Sequence, residues 1–126
     1  MSYKTPKGQA IGHGSSGTGT HHWWQHRVSS VALVPLTALA IFPFALNLGA
    51  PHDEVLATYT NPFHAIIAIL WLAVTFHHLM QGLQVVIEDY VPHKGWRTGL
   101  LLGNQMFCGL FGFAGIFAVL KIAFTG

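Results

Sequence analysis

The sequence predicts an all-α membrane protein with three transmembrane helices, and two observations carry that prediction. Of the 126 residues, 52% are hydrophobic and only 8% are charged, whereas a soluble domain carries about 25% charged residues. Three stretches that lack Asp, Glu, Lys and Arg are each long enough to cross a bilayer, which takes about 20 residues in a helix. The formal net charge of +2 is too small to indicate nucleic-acid binding.

The three predicted spans belong to an anchor domain of residues 21–126, and they cover about 28–48, 62–87 and 98–120. Pro35 and Pro43 fall in the first span, where neighbouring groups can satisfy the carbonyls that a proline leaves unpaired. In the third span, Gly99 and Gly103 have the four-residue spacing that lets membrane helices approach closely. Cys108 is the only cysteine, so no disulfide forms within the chain, and we interpret it as a small buried apolar residue.

Before the first span, residues 1–20 are polar and rich in Gly, Ser and Thr, and they predict a flexible N-terminal arm. The arm lacks the basic start and apolar core of a secretory signal and is poor in Arg for a transit peptide. This favours a bacterial inner membrane over a mitochondrial one.

The distribution of basic residues predicts the orientation of the three spans. Basic residues precede the first span and lie between the second and third: Lys4, Lys7, Arg27, Lys94 and Arg97. The loop at 49–61 has no Lys or Arg. The positive-inside rule therefore places the N-terminus in the cytoplasm and the C-terminus on the opposite side.

The second span carries histidines, which are costly inside a bilayer and usually have a specific task. His78 lies deep in this span, and three roles compete for it: a haem iron ligand, a member of a proton relay, or a hydrogen-bond partner of a neighbouring helix. His77 points about 100° away around the helix, so only one of the two faces a given partner. His64 lies near the other end of the span, where it is an interfacial residue or a ligand of a second haem. Gly82, four residues after His78, leaves room for a flat macrocycle or is a packing notch.

Asp89 and Tyr90 follow His78 at the cytoplasmic end of the same helix. Eleven residues separate His78 from Asp89, which is about 16 Å along a helix. A tyrosine hydroxyl can donate a hydrogen bond to a carbonyl oxygen, and a nearby carboxylate can orient that donor or deliver protons. The pair suits the reduction of a quinone, although an ordinary helix end with an interfacial tyrosine fits the same residues.

The combined pattern resembles the hydrophobic membrane-anchor subunits of succinate dehydrogenase (succinate–quinone oxidoreductase, complex II). The resemblance rests on His78, Gly82 and Asp89-Tyr90-Val91, which close the second of three spans, and on the segment from His21 to Ala32. It extends over roughly residues 21 to 124.

The resemblance implies one haem b shared with a second anchor subunit, the cytochrome b subunit, with His78 as one axial ligand. It implies that Tyr90 binds ubiquinone with Asp89 beside it, and that His21 and Arg27 lie near the haem propionates. The other expected partners are an iron–sulfur subunit, a flavoprotein subunit and membrane lipid. Electrons would pass from succinate to quinone, linking the tricarboxylic acid cycle to the respiratory chain, with no succinate-oxidising site in this chain.

Three alternatives remain at this stage. The first is the anchor of a quinol–fumarate reductase, which would use nearly the same site residues. The second is a di-haem cytochrome b subunit of another dehydrogenase, in which His64 also ligates iron. The third is an assembly protein without a cofactor.

Overall fold

The structure is a computed structural model that describes residues 5–11 and 19–125. These residues form five helices: α1 (Pro6–Ile11), α2 (Gly19–Leu46), α3 (His52–Thr60), α4 (Pro62–Tyr90) and α5 (Lys94–Thr125). Three of them, α2, α4 and α5, are long and apolar enough to cross a membrane. The predicted class, an all-α protein with three candidate transmembrane helices, is therefore confirmed for the described part of the chain.

The three long helices extend beyond the apolar spans predicted from the sequence. Helix α4 has 29 residues, which is about 44 Å of helix, whereas the hydrocarbon core of a bilayer is about 30 Å thick. Helix α4 is therefore longer than the hydrocarbon core is thick. Helix α2 continues through both Pro35 and Pro43.

Helix α3 was not predicted, since the loop at 49–61 contains no apolar run of helical length. Its start carries Asp53 and Glu54 in the first turn, where carboxylates are favourable near the positive end of the helix dipole. Asn61 then ends α3 and caps α4, because its side-chain oxygen accepts a hydrogen bond from the Phe63 backbone N–H at 2.9 Å. Asn61 thus connects α3 directly to the start of α4.

Much of the predicted N-terminal arm, residues 1–4 and 12–18, lies outside the described residues. Within the arm, the structure describes the short helix α1, and α2 already begins at Gly19.

Helix α4 is the central element, because α2 and α5 both pack against it, and α3 contacts α4 and α5. Cys108 is 2% exposed, as predicted for a small buried residue. Gly112 lies one turn further along α5, against the Phe76 ring of α4. By contrast, a Cβ atom at Gly99 or Gly103 would meet nothing within 4 Å in the described chain. Close approach of α4 and α5 therefore uses the Cys108–Gly112 pair, and the Gly99–Gly103 pair lies on an open face.

We expect Gly112→Ala to destabilise the packing of α5 on α4. The added Cβ would lie 3.2 Å from the Phe76 Cβ, and overpacking of this kind costs about 1–3 kcal/mol. Gly109→Ala is the matched control, since its Cβ would meet nothing within 4 Å and alanine gains about 1 kcal/mol of helix propensity over glycine. Thermal unfolding of the detergent-solubilised protein should show a lower midpoint for Gly112→Ala than for Gly109→Ala. Equal midpoints would contradict the packing described.

The few buried side chains include polar ones. Ser29 and Gln81 are buried, whereas large apolar side chains are exposed along all three long helices, including Val34, Leu70 and Phe113. Exposed apolar surface of this extent suits a lipid environment or other membrane helices. The buried polar pair marks the contact between α2 and α4, where the candidate site lies.

Candidate functional site

A polar cluster lies in the seam between α2 and α4, around His78. The Ser29 Oγ lies 2.9 Å from the His78 Nδ1, and it is 3.5 Å from the Gln81 Oε1. Ser29 is 6% exposed and Gln81 3% exposed, so these polar groups depend on one another for hydrogen bonds. His78 is half-buried.

His26 of α2 completes this cluster from one side. Its ring stacks on the His78 ring, with centroids 4.4 Å apart and planes 27° apart. The His26 carbonyl oxygen accepts a hydrogen bond from the Ser29 hydroxyl at 2.9 Å. A Cβ at Gly82 would lie 3.9 Å from the His26 Nε2, so the glycine notch lies next to the His26 ring, at ordinary van der Waals distance. His78 is thus fixed by a hydrogen bond at its edge and by a ring against its face.

Sequence reasoning missed Ser29, His26 and Gln81, although α2 carries a signal for two of them. His22, His26 and Ser29 are spaced by four and then three residues, which places them on one face of a helix. That face packs on α4, and the His22 Nε2 is buried with no hydrogen-bond partner in the part of the chain that the structure describes.

The two adjacent histidines of α4 have different surroundings. The second ring nitrogen of His78, Nε2, makes no hydrogen bond within residues 5–11 and 19–125, while its Nδ1 is bonded to Ser29. His77 is exposed, and it lines a groove of about 490 Å³ beside the seam, together with Val28 and Ser29 of α2 and Val74 of α4. Of these two histidines, His78 is anchored in the seam by Ser29, and His77 lies exposed beside it.

Within the described ranges, no group of three or more His, Cys, Asp and Glu side chains is placed to hold a metal ion. An iron whose axial ligands come from two subunits requires only one histidine from this chain. The donor set at the seam, a histidine with one nitrogen hydrogen-bonded and the other unbonded, fits that arrangement.

Tyr90 and Asp89 lie at the end of α4, and both are exposed. Tyr90 is the last residue of the helix, is 81% exposed, and so has most of its side chain available to a ligand or another subunit. Glu88 accepts a hydrogen bond from the Gln84 amide at 2.9 Å. Carboxylates in a last helical turn interact unfavourably with the helix dipole, at a cost of about 0.3–1 kcal/mol each. Helix stability therefore does not explain why an acidic residue occupies position 89.

His21 and Arg27, predicted near the haem propionates, are not in contact with His78. Both side chains are exposed, and the Arg27 guanidinium lies 5.2 Å from the centroid of the Trp23 ring. Arg27 is about 200° around the helix from Ser29 and therefore faces away from the seam. They do lie at the same end of the helix bundle as Tyr90, because α2 and α4 are antiparallel.

His64 belongs to the opposite end of α4. Its Nδ1 is 3.1 Å from the Thr58 carbonyl oxygen, and it lines an apolar cavity of about 360 Å³ with Tyr59 and Trp71. Fourteen residues separate His64 from His78, about 21 Å along the helix, so the two histidines do not share a site.

The three long apolar helices define a multi-pass membrane protein. Residues 1–119 match the family model described as succinate dehydrogenase/fumarate reductase transmembrane subunit. The chain belongs to this family, as a succinate dehydrogenase hydrophobic membrane anchor subunit.

Curated relatives with that name come from several bacteria. The protein of Paracoccus denitrificans is 36% identical over 107 residues, covering 85% of this chain and 82% of the relative. The protein of Rickettsia felis is 30% identical over 91 residues, covering 72% and 76%. That of Rickettsia bellii is 32% identical over 95 residues, covering 75% of each. No solved structure matches the chain.

Proposed function

We propose that this anchor subunit supplies His78 as one axial ligand of a haem b held jointly with a second anchor subunit, the cytochrome b subunit. The observation that carries the proposal is the state of the His78 ring in the α2–α4 seam. Its Nδ1 is bonded to Ser29, its face is covered by His26, and its Nε2 has no partner in the described chain. Imidazole nitrogen is a common axial ligand of haem iron. When bound, the haem exchanges single electrons through its iron.

Gly82 supports the same proposal, and Arg27 and His21 are the side chains that would meet the haem propionates. Gly82 leaves the α4 surface one turn after His78 without a Cβ, so a flat ring can approach the backbone there. Arg27 is exposed near the Tyr90 end of the bundle, and its guanidinium would pair with a propionate carboxylate. His21, also exposed, would contribute a second polar group to the propionates.

The second part of the proposal is a ubiquinone-reduction site at the end of α4. The Tyr90 hydroxyl would donate a hydrogen bond to a quinone carbonyl oxygen. Asp89 would orient that donor and hold a proton close to the reacting oxygen. Because Tyr90 is 81% exposed in this chain, other subunits would form most of the walls of the site.

Within the complex, the chain would act between soluble redox subunits and the membrane quinone pool. A flavoprotein subunit would oxidise succinate and an iron–sulfur subunit would pass the electrons to the quinone site, connecting the tricarboxylic acid cycle to the respiratory chain. The N-terminus and residues 91–93, which connect α4 to α5, would lie on the cytoplasmic side of a bacterial inner membrane, with the C-terminus opposite. This chain would position quinone and haem and would not itself oxidise succinate.

The experiment that tests the haem proposal is a dithionite-reduced minus oxidised spectrum of the purified complex, with haem quantified against this chain. We expect one b-type haem per copy. Two haems would indicate that His64 also serves as a ligand, and the absence of haem would remove His78 as a ligand while leaving the Tyr90–Asp89 site to be tested separately.

A further inference from the structure

We infer that Ser29 is the positioning residue of His78: its hydroxyl oxygen accepts a hydrogen bond from the His78 Nδ1–H and so keeps the Nε2 lone pair free for a haem iron. The inference rests on the proposed haem function and adds to it a group on a different helix. It assigns a role to a buried polar contact that the family membership leaves unexplained.

We infer the direction of the hydrogen bond from the donors and acceptors around Ser29. A serine hydroxyl has one hydrogen and two lone pairs. Two acceptors lie within reach of that hydrogen: the His26 carbonyl oxygen at 2.9 Å and the Gln81 Oε1 at 3.5 Å. A proton on the His78 Nδ1 has the Ser29 Oγ as its acceptor at 2.9 Å. All these groups are satisfied together when Nδ1 donates and the hydroxyl hydrogen points to one of the two oxygens.

That arrangement fixes which nitrogen can bind a metal. A neutral imidazole carries its hydrogen on one nitrogen and a lone pair on the other, so a protonated Nδ1 leaves Nε2 as the ligating atom. A partner on the outer nitrogen also sets the rotation of the ring and raises its basicity toward the metal. The stacked His26 ring limits the tilt of the ring plane. Ser29 and His26 thus define the direction in which the Nε2 lone pair points.

Ser29→Val and Ser29→Thr form a matched pair, because the two side chains have nearly the same shape and only threonine retains the hydroxyl. Loss of the hydrogen-bond acceptor makes the His78 Nε2 a weaker electron-pair donor to the iron. A weaker donor stabilises ferric iron less than ferrous iron. We expect the haem b midpoint potential to stay at the wild-type value in Ser29→Thr and to rise in Ser29→Val. A tenfold change in the affinity of the site for ferric haem relative to ferrous haem corresponds to about 59 mV for a one-electron couple.

Ser29→Ala and Ser30→Ala form a second pair, in which each substitution only removes atoms. This pair still tests the inference if the larger valine and threonine side chains at position 29 disturb haem binding. Ser30 donates to the same His26 carbonyl oxygen at 2.8 Å and, within the described residues, makes no bond with His78. We expect Ser29→Ala to shift the potential and to weaken haem retention by about 10–100-fold, as is typical of groups that support a metal ligand. Ser30→Ala should leave both unchanged.

Equal potentials in Ser29→Val and Ser29→Thr, or equal shifts in Ser29→Ala and Ser30→Ala, would overturn the inference. His78→Ala separates this outcome from failure of the proposed function. If His78→Ala loses haem while the Ser29 variants keep the wild-type potential, only the positioning role is wrong. If His78→Ala retains haem with an unchanged spectrum, the proposed function itself is wrong.

Discussion

Replacing His78 with alanine should remove haem b from the purified complex or leave it weakly bound. Alanine deletes the ligating imidazole, and even groups that only support a metal ligand are worth about 10–100-fold in affinity. We therefore expect haem content per complex to fall by more than about tenfold after detergent washing. The measurement is the reduced minus oxidised spectrum, normalised to the amount of this chain in the preparation.

His77→Ala is the matched control, because it removes the same side chain from the adjacent position of the same helix. His77 is exposed and lines the groove of about 490 Å³ beside the seam, whereas His78 is bonded to Ser29. We expect His77→Ala to retain haem at the wild-type level. The reverse result would make His77 the ligand and the groove the haem site, and it would leave the Ser29–His78 hydrogen bond as a purely structural contact.

The three transmembrane helices could be predicted from the sequence because lipid imposes a single requirement on long apolar segments. A chain in hydrocarbon has to satisfy its backbone hydrogen bonds internally, and a helix does this for each span separately. Helix α3 was missed for a related reason: its residues, HDEVLATYT, lie outside the apolar spans, and hydropathy carries no information there. Pro51 before the helix and Asp53 with Glu54 in its first turn are start signals that could have identified it.

The candidate site, too, could be predicted from the sequence only in part. The relation of His78 to Gly82, Asp89 and Tyr90 follows from helical spacing, since all four residues lie on α4. The contact of Ser29 with His78 joins residues 49 positions apart, and it depends on how far α2 is rotated and shifted against α4. The spacing within one helix does not determine either quantity. The face formed by His22, His26 and Ser29 could have indicated a polar contact, but not its partner.

The positions of Ser29 and Gln81 also bear on why His78 is tolerated at this depth. An imidazole among apolar side chains is costly unless its polar atoms have partners. In this chain one ring nitrogen is satisfied inside the protein, so only the other requires a ligand or a further partner. The seam therefore lowers the free-energy cost of burying His78 by satisfying Nδ1 alone. Nε2 stays available, and a metal ligand requires one such nitrogen.

Replacing Tyr90 with phenylalanine should slow quinone reduction while the complex still assembles. The change keeps the aromatic ring and removes only the hydroxyl, and Tyr90 is 81% exposed in this chain, so no packing inside the helix bundle is lost. A hydrogen bond to a group that carries or develops charge contributes about 1.5 kcal/mol or more. A loss of that size is about tenfold in rate. The measurement is kcat/KM for succinate-dependent reduction of a soluble ubiquinone analogue.

Tyr59→Phe provides the control, because it makes the same chemical change at the opposite end of the helix bundle. Tyr59 lies on α3 and lines the apolar cavity near His64, remote from the end of α4. A water-soluble artificial acceptor that takes electrons before they reach the membrane should be reduced at the same rate by both variants and by the wild type. If Tyr90→Phe matches Tyr59→Phe in quinone kinetics, the hydroxyl does not bind quinone and Tyr90 is an interfacial anchor. A slower rate only in Tyr90→Phe, with unchanged reduction of the artificial acceptor, would locate the defect at the quinone step.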